Sequence, residues 1–145
     1  MKIRELMTQD VETCSVDDTL QRAAAVMSDT GVGIIPIITS GNNLEGVLTD
    51  RDIVVRAIAK GMDSNTTKVN ECMTPNVVSC SPEMDAHDAA RLMADNQVRR
   101  LMVVEDGKLC GVCSLGDLAI IGIHEDEAGF ALSEISEPDH STPAH

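Results

Sequence analysis

Apolar residues recur every three or four positions in two stretches of the chain. The positions are Val16, Leu20, Ala23, Ala24 and Met27 in the first stretch, and Ala86, Ala89, Ala90 and Met93 in the second. This spacing predicts two helices, each with one apolar face. Ser15 or Asp17 supplies an N-cap for the first helix. Ser81, with Pro82 and Glu83 after it, does so for the second. Short strands are predicted before the helices, over 11–14 and 77–80.

Each predicted helix is followed by a continuous apolar run and then by a second short strand. The runs cover 34–38 and 101–104, and such runs are typical of strands that are covered on both faces. Turns are predicted at 41–43 and 106–107, where glycine and asparagine or aspartate occur. The closing helices are predicted over 50–60, before Gly61, and over 115–121, before Gly122.

The two stretches are copies of one sequence unit. The segment MTQDVETCS at Met7 returns as MTPNVVSCS at Met73, a shift of 66 residues (73 − 7). After a one-residue deletion in the second turn, the matching continues at a shift of 65. We therefore predict an α+β fold of tandem βαββα repeats, packed sheet to sheet with pseudo-two-fold symmetry. The predicted repeats are 1–61 and 73–122, with a linker over 62–72 and an acidic tail over 123–145.

Charge and composition limit the partners of the chain. The net charge of −13 opposes binding to nucleic acid or to an anionic membrane surface. Phe130 is the single aromatic residue, which argues against a stacking platform for bases. No apolar run is long enough to span a bilayer, and the first residues lack a signal-peptide pattern. With five cysteines, an odd number that fits reduced thiols, these features predict a cytoplasmic protein.

The strand before each closing helix ends in the pattern Gly-x-x-Thr/Ser-x-x-Asp. Its residues are Gly46, Thr49 and Asp52 in the first copy, and Gly111, Ser114 and Asp117 in the second. A hydroxyl and an acid three residues apart have the spacing of a capping box. The same atoms suit a ligand, because a helix start attracts phosphate and a carboxylate accepts the two hydroxyls of a ribose. Capping and binding are compatible, so the spacing alone leaves both open.

Strand, helix, two apolar strands, this motif and a closing helix, all repeated in tandem, resemble a CBS-domain pair, also called a Bateman module. The resemblance covers about Met1 to Gly122, and the chain is similar to short bacterial proteins that consist of one such pair. It implies a regulatory module that senses AMP, ADP, ATP or S-adenosylmethionine in the cleft between the repeats and is not an enzyme. A homodimer is also implied. The alternative is a structural dimerisation module with degenerate pockets that bind no ligand.

The resemblance implies that each ligand site combines the motif of one copy with residues of the other copy. The first site would contain Thr49, Arg51, Asp52, Ser79, Val98, Arg99 and Arg100, and the second Ser114, Asp117, Thr13, Cys14, Gly33 and Ile34. Arg99 and Arg100 occupy the place where several relatives carry phosphate-binding His or Arg, and guanidinium groups suit phosphate oxygens. We therefore expect the first site to be the principal one. The alternative for these arginines is surface ion pairing.

Other candidates for chemistry are weaker. Cys110-x-x-Cys113 has the spacing of a metal or redox motif, but residues three apart on a strand face opposite sides. No second pair of this kind supplies further ligands, so packed thiols are the preferred interpretation and no metal is expected. His87 is expected on an exposed helix face, and the other histidines follow the last helix. The sequence shows no nucleophile beside a base, which argues against an enzyme.

Overall fold

The computed structural model describes residues 1–121, and the predicted tail with Gly122 lies outside the described residues. The elements, in chain order, are β1 (Cys14–Ser15), α1 (Leu20–Thr30), β2 (Ile34–Thr39), β3 (Asn43–Thr49), α2 (Asp50–Asp52), β4 (Ser79–Cys80), α3 (Ala86–Asn96), β5 (Arg100–Glu105), β6 (Lys108–Ser114) and α4 (Leu115–Ile121). Both copies therefore have the predicted order of strand, helix, strand, strand and helix. The predicted α+β class is confirmed.

The chain folds into two compact units. The first-repeat unit contains Glu12–Val77 with Gly107–Leu109. The second-repeat unit contains Met1–Val11, Val78–Asp106 and, among the described residues, 110–121. The first eleven residues thus belong to the unit of the second repeat, whereas the predicted repeat boundaries, 1–61 and 73–122, assign them to the first repeat.

The strands of the first-repeat unit pair around β2. Strand β1 runs parallel to β2, with Cys14 opposite Ile37. Strand β3 runs antiparallel to β2, with Ile34 opposite Thr49, and the register shifts between Ile37 and Ile38. Since Thr49 ends β3, this pairing fixes the backbone from which the first motif enters α2.

The second-repeat unit repeats this arrangement. Strand β4 runs parallel to β5, with Ser79 opposite Met102, and β6 lies on the other side of β5. Ser114 is the last residue of β6, as Thr49 is of β3. Equivalent strands therefore deliver the two motifs to their helices.

Each unit has its own apolar core beneath its first long helix. The core residues of the first-repeat unit include Leu20, Ala23, Met27, Ile35, Ile37 and Leu48, and those of the second include Ala86, Ala89, Ala90, Met93, Leu101 and Val103. The predicted apolar faces of both helices are therefore buried. Val16, which precedes α1, and Ala24 are the exceptions, because both are only half-buried.

The N-cap of α1 lies four residues after Ser15 and two after Asp17, and that of α3 lies four residues after Ser81, so the predicted N-caps were wrong. Thr19 caps α1 by accepting from Arg22 N, and Asp85 caps α3 by accepting from His87 N. Ser15 and Ser81 instead close turns, since their hydroxyls accept from the backbone N–H two residues later. Such side chains bind backbone groups in turns as readily as at helix starts.

The predicted helix over 50–60 is present as three successive helical forms. The α-helical turn of α2 continues into a π-helical turn, Ile53–Ala57, and then into a 3-10 turn, Ile58–Lys60. Gly61 ends it with φ of 73°, as predicted for a left-handed C-terminal residue. We call residues 50–60 the motif helix.

The segments that precede β1 and β4, residues 1–11 and 67–77, are exchanged: each packs in the unit of the other copy. We call them the exchanged segments. In the second-repeat unit, Ile3 N donates to Met84 O at 2.9 Å. In the first-repeat unit, Val69 N donates to Asp18 O at 2.8 Å. Ile3 and Val69 are fully buried and are equivalent at the shift of 66 (69 − 3). The predicted linker therefore includes the start of the second copy, packed on the body of the first.

Candidate functional site

The first motif forms a capping box at the start of the motif helix. Asp52 N donates to Thr49 Oγ1 at 2.9 Å, and Thr49 N donates to Asp52 Oδ2 at 3.0 Å. These bonds satisfy a backbone donor at the helix start and fix the direction of the carboxylate. The capping interpretation of the motif is confirmed in this copy.

The second motif has the same geometry. Asp117 N donates to Ser114 Oγ at 3.1 Å, and Ser114 N donates to Asp117 Oδ2 at 2.8 Å. In both copies one carboxylate oxygen is used by the capping box. The other oxygen is not, so capping leaves each acid with acceptor capacity.

The two carboxylates differ in their further partners. Asp52 is buried, and its Oδ2 also accepts from Thr74 Oγ1 at 3.4 Å. Its Oδ1 lies 3.6 Å from Arg56 Nε. Asp117 is half-buried and has only the Ser114 bonds among the hydrogen bonds and ion pairs of residues 1–121. The first acid is therefore the more firmly held.

The glycine of each motif allows a close backbone approach. A Cβ atom on Gly46 would lie 2.5 Å from the carbonyl oxygen of Thr74. On Gly111, it would lie 2.5 Å from the carbonyl oxygen of Thr8. Thr74 and Thr8 belong to the exchanged segments. The motif glycines thus accept those segments, a structural role that the sequence analysis did not assign to them.

The predicted basic residues differ in exposure. Arg51 in α2 and Arg100 at the start of β5 are exposed. Arg99 is half-buried, and its Nε is buried without a hydrogen-bond partner within residues 1–121. Its carbonyl accepts from Leu115 N at 2.8 Å, next to the motif of its own copy. A buried N–H of this kind has donor capacity left for an acceptor.

The remaining predicted site residues lie at the ends of the strands. Thr13 is half-buried, Cys14 is buried in β1, Ile34 is half-buried at the start of β2, Ser79 is exposed in β4 and Val98 is half-buried before β5. Gly33 O accepts from Asp50 N at 3.0 Å, which repeats the Arg99 to Leu115 bond. The assignment of these residues to two ligand sites stays a prediction.

Arg56 and Thr74 are residues near the carboxylate that the sequence analysis missed. The spacing of Arg56 to Asp52 is i, i+4, which on a helix brings side chains together and would have indicated the pair. Thr74 lies far from Asp52 in sequence, and nothing in the spacing of the motif indicates it.

The cysteines are packed thiols in the described part of the chain. Cys113 in β6 is buried, and burial raises its pKa to about 12. Burial likewise raises the pKa of Cys80 to about 11. Within residues 1–121, no group of three or more His, Cys, Asp and Glu side chains is arranged to hold a metal ion. Each helix within residues 1–121 is too short or too polar to span a bilayer.

A family model decides what these paired repeats are. The model of the CBS domain matches residues 3–58 and again residues 69–122. The chain belongs to the CBS-domain family. The two matches begin at Ile3 and Val69, so each matched stretch starts with residues that pack on the other repeat.

Relatives and solved structures agree with this membership. The CBS domain-containing protein YhcV of Bacillus subtilis is 43% identical over 134 residues, which cover 92% of this chain and 94% of YhcV. The crystal structure of Hypoxic Response Protein I with two coordinated zinc ions has a TM-score of 0.76 at 30% identity, covering 83% of this chain and 98% of that one. The structure of CBSX2 in complex with AMP has a TM-score of 0.74 at 25% identity, covering 86% and 98%.

Proposed function

We propose that this CBS pair is a regulatory module that binds an adenosine-containing ligand and catalyses no reaction. The ligand class is AMP, ADP, ATP or S-adenosylmethionine. The observation that carries the proposal is the repeated acid, Asp52 and Asp117, held by its capping box with one oxygen left over, in a chain similar to a CBS protein solved with AMP. A carboxylate held in this way is preorganised to accept a ribose hydroxyl.

A phosphate on the ligand requires local cations, because the chain carries a net charge of −13. The buried Nε of Arg99 supports a role in anion binding, since an unused guanidinium donor gains from a phosphate oxygen. We therefore propose Arg99 and Arg100 as phosphate-binding residues and Asp52 as the acid of the principal site. Asp117 would serve the weaker site.

Calorimetric titration with AMP, ADP, ATP and S-adenosylmethionine tests this assignment. We expect Arg100→Ala to weaken binding by roughly tenfold, a change of about 1.4 kcal/mol, because one charge-assisted contact is lost. Asp52→Ala should weaken binding to a similar degree, and Asp117→Ala should weaken it less. Lys60→Ala is the matched control, since Lys60 is an exposed cation at the end of the motif helix.

The titrations also identify a wrong assignment. Loss of binding in Asp117→Ala with unchanged binding in Arg100→Ala would make the second motif the principal site. Wild-type protein that binds none of AMP, ADP, ATP and S-adenosylmethionine would contradict the ligand-binding function and favour the structural dimerisation module. Urea unfolding of each variant separates loss of binding from loss of folding.

We also propose that the chain is a homodimer. The motif helix exposes Val54, Val55 and Ile58, whose exposed fractions are 54%, 44% and 64%. Apolar side chains grouped in this way usually mark an interface. Light scattering is expected to give twice the 15.5 kDa mass of one chain. Ile58→Glu should shift it toward the monomer, whereas Val32→Asp, at an exposed valine outside this helix, should not.

A further inference from the structure

Arg56 joins the ligand-site acid to a second part of the chain. It lies in the π-helical turn, Ile53–Ala57, and its Nε is 3.6 Å from Asp52 Oδ1. From the same guanidinium, Nη1 donates to the carbonyl oxygens of Met73 at 3.2 Å and Cys72 at 3.4 Å. One side chain therefore contacts both the carboxylate and the exchanged segment.

The exchanged segment makes a second, independent contact with the same carboxylate. Thr74 Oγ1 donates to Asp52 Oδ2 at 3.4 Å. The backbone of Thr74 is itself fixed, since it exchanges two hydrogen bonds with Val47 at 2.8 and 3.0 Å. We call residues 72–74 the clasp segment, and its three residues all reach Asp52 directly or through Arg56.

The geometry leaves Asp52 able to accept a ligand hydroxyl. Oδ2 is occupied, because it accepts from Thr49 N and Thr74 Oγ1. Oδ1 faces Arg56 at 3.6 Å, which is an ion-pair distance and too long for a hydrogen bond. Arg56 thus orients the carboxylate while leaving the lone pairs of Oδ1 for another donor.

The second copy lacks this link. At the shift of 65, Arg56 corresponds to Ile121 (56 + 65). At the shift of 66, Thr74 corresponds to Thr8 (74 − 66). In the described residues, Thr8 forms no hydrogen bond to Asp117. The coupling between an acid and an exchanged segment is therefore a property of the first motif and does not follow from the CBS fold.

We propose that Arg56 is a positioning residue that couples the Asp52 carboxylate to the clasp segment, so that ligand binding at Asp52 and ordering of residues 72–74 stabilise each other. This inference rests on the proposed function, because it assigns a regulatory path to the same acid. Coupling of this kind is reciprocal. Ordering of the clasp segment raises the affinity for the ligand, and bound ligand orders the clasp segment to the same degree. The start of the second repeat is thereby sensitive to occupancy of the first motif.

Hydrogen exchange of the full chain, measured without ligand, tests the link directly. Arg56→Ala should speed exchange of the amides of residues 72–74 by about two- to fivefold, because a half-exposed ion pair and its hydrogen bonds contribute modestly. Lys60→Ala removes the same charge from the same helix and should leave this exchange unchanged. Arg56→Lys keeps the charge but not the forked geometry and should rescue only in part.

A second measurement adds AMP. In wild type, AMP should slow exchange of residues 72–74, and in Arg56→Ala this slowing should be lost while the affinity falls about two- to fivefold. Unchanged exchange in ligand-free Arg56→Ala, or equal slowing by AMP in both proteins, overturns the proposed coupling. Absence of binding of all four ligands, AMP, ADP, ATP and S-adenosylmethionine, to wild type contradicts the proposed function instead, and the ligand-free exchange then decides alone whether Arg56 holds the clasp segment.

Discussion

Asp52 and Asp117 occupy equivalent positions in the two repeats, yet they differ in how firmly they are held. Both are fixed by a capping box, at 3.0 Å to Thr49 N and at 2.8 Å to Ser114 N. Asp52 is also tied to Thr74 and Arg56, whereas Asp117 is half-buried without such ties in the described residues. The comparison teaches that the repeated motif determines the start of the helix, and that residues outside the motif determine what each carboxylate contacts.

The largest change in unfolding free energy is expected at the motif glycines, where the two copies have the same close backbone contact. Gly46→Ala and Gly111→Ala each place a Cβ atom 2.5 Å from a backbone carbonyl oxygen, so each should cost about 2–3 kcal/mol of unfolding free energy through overpacking. Urea unfolding measures the change. Gly116→Ala is the control, because its Cβ atom would meet nothing closer than 3.6 Å and a helical alanine is favourable. A much smaller cost for one motif glycine would show that the two exchanged segments are not equally fixed.

The next effect separates the two acids. Asp117→Ala removes one capping interaction, which contributes about 1 kcal/mol. Asp52→Ala also removes the acceptor of Thr74 Oγ1 and the partner of Arg56, so we expect a loss of about 2 kcal/mol. The excess is modest because Arg56 is half-exposed and its ion pair is screened by solvent. Equal losses in urea unfolding would remove the distinction between the two acids.

A smaller effect concerns the exchanged segments, which are anchored differently. Glu83 accepts from Lys2 Nζ at 2.8 Å and from Arg4 Nη2 at 2.6 Å, and these bonds hold its pKa below the ordinary value. The equivalent residue in the first copy is Asp17 (83 − 66), which forms no ion pair in the described residues. The N-terminal segment is therefore the one that depends on charge.

The sign of the pH dependence follows from the lowered pKa of Glu83. Its stabilising contribution is complete above the ordinary carboxylate pKa of about 4.3 and is lost as the pH falls through the lower folded value. Between about pH 5.5 and 3, the urea midpoint of wild type should fall slightly more than that of Glu83→Gln. Glu12→Gln, at an exposed glutamate outside any described ion pair, should behave like wild type. A wild-type midpoint that falls less than the Glu83→Gln midpoint would contradict this anchor.

The last prediction concerns the rates at which the cysteine thiols react, and it involves no change in stability. Near pH 8 a thiol reagent should label Cys110 first, because it is the one half-buried cysteine of the five. Cys80 and Cys113, with pKa values raised by burial to about 11 and about 12, should react only at the rate of unfolding. Cys110→Ser should abolish the fast phase. Fast labelling of Cys113 in that variant would show that β6 opens more readily than its burial indicates.

Much of the fold could be predicted from the sequence, because apolar periodicity reports burial. The faces with Ala23 and Ala89, the apolar runs of β2 and β5, and the capping boxes all follow local rules. The starts of the two long helices could not be predicted in this way. The hydroxyls of Ser15 and Ser81 can accept from a backbone N–H both at a helix start and in a turn.

The remaining errors have a different physical origin. In a tandem repeat, residues 1–11 and 67–77 match each other, so the sequence does not reveal which copy each segment packs on. The ties from Arg56 and Thr74 to Asp52 depend on that packing in part, because Thr74 reaches the carboxylate only from the exchanged position. The role of Gly46 is hidden for the same reason, since the atom it makes room for is 28 residues away (74 − 46).

The exchange of segments also determines the order in which the two units can fold during synthesis. Residues 12–77 emerge as one continuous stretch that already holds most of the first-repeat unit. The N-terminal segment leaves the ribosome earlier, but its partners Pro82 and Met84 follow only after several seconds at about 5–20 residues per second. Throughout that interval the nascent chain carries Ile3 and Leu6, two apolar side chains that the core of the second-repeat unit buries in the folded protein.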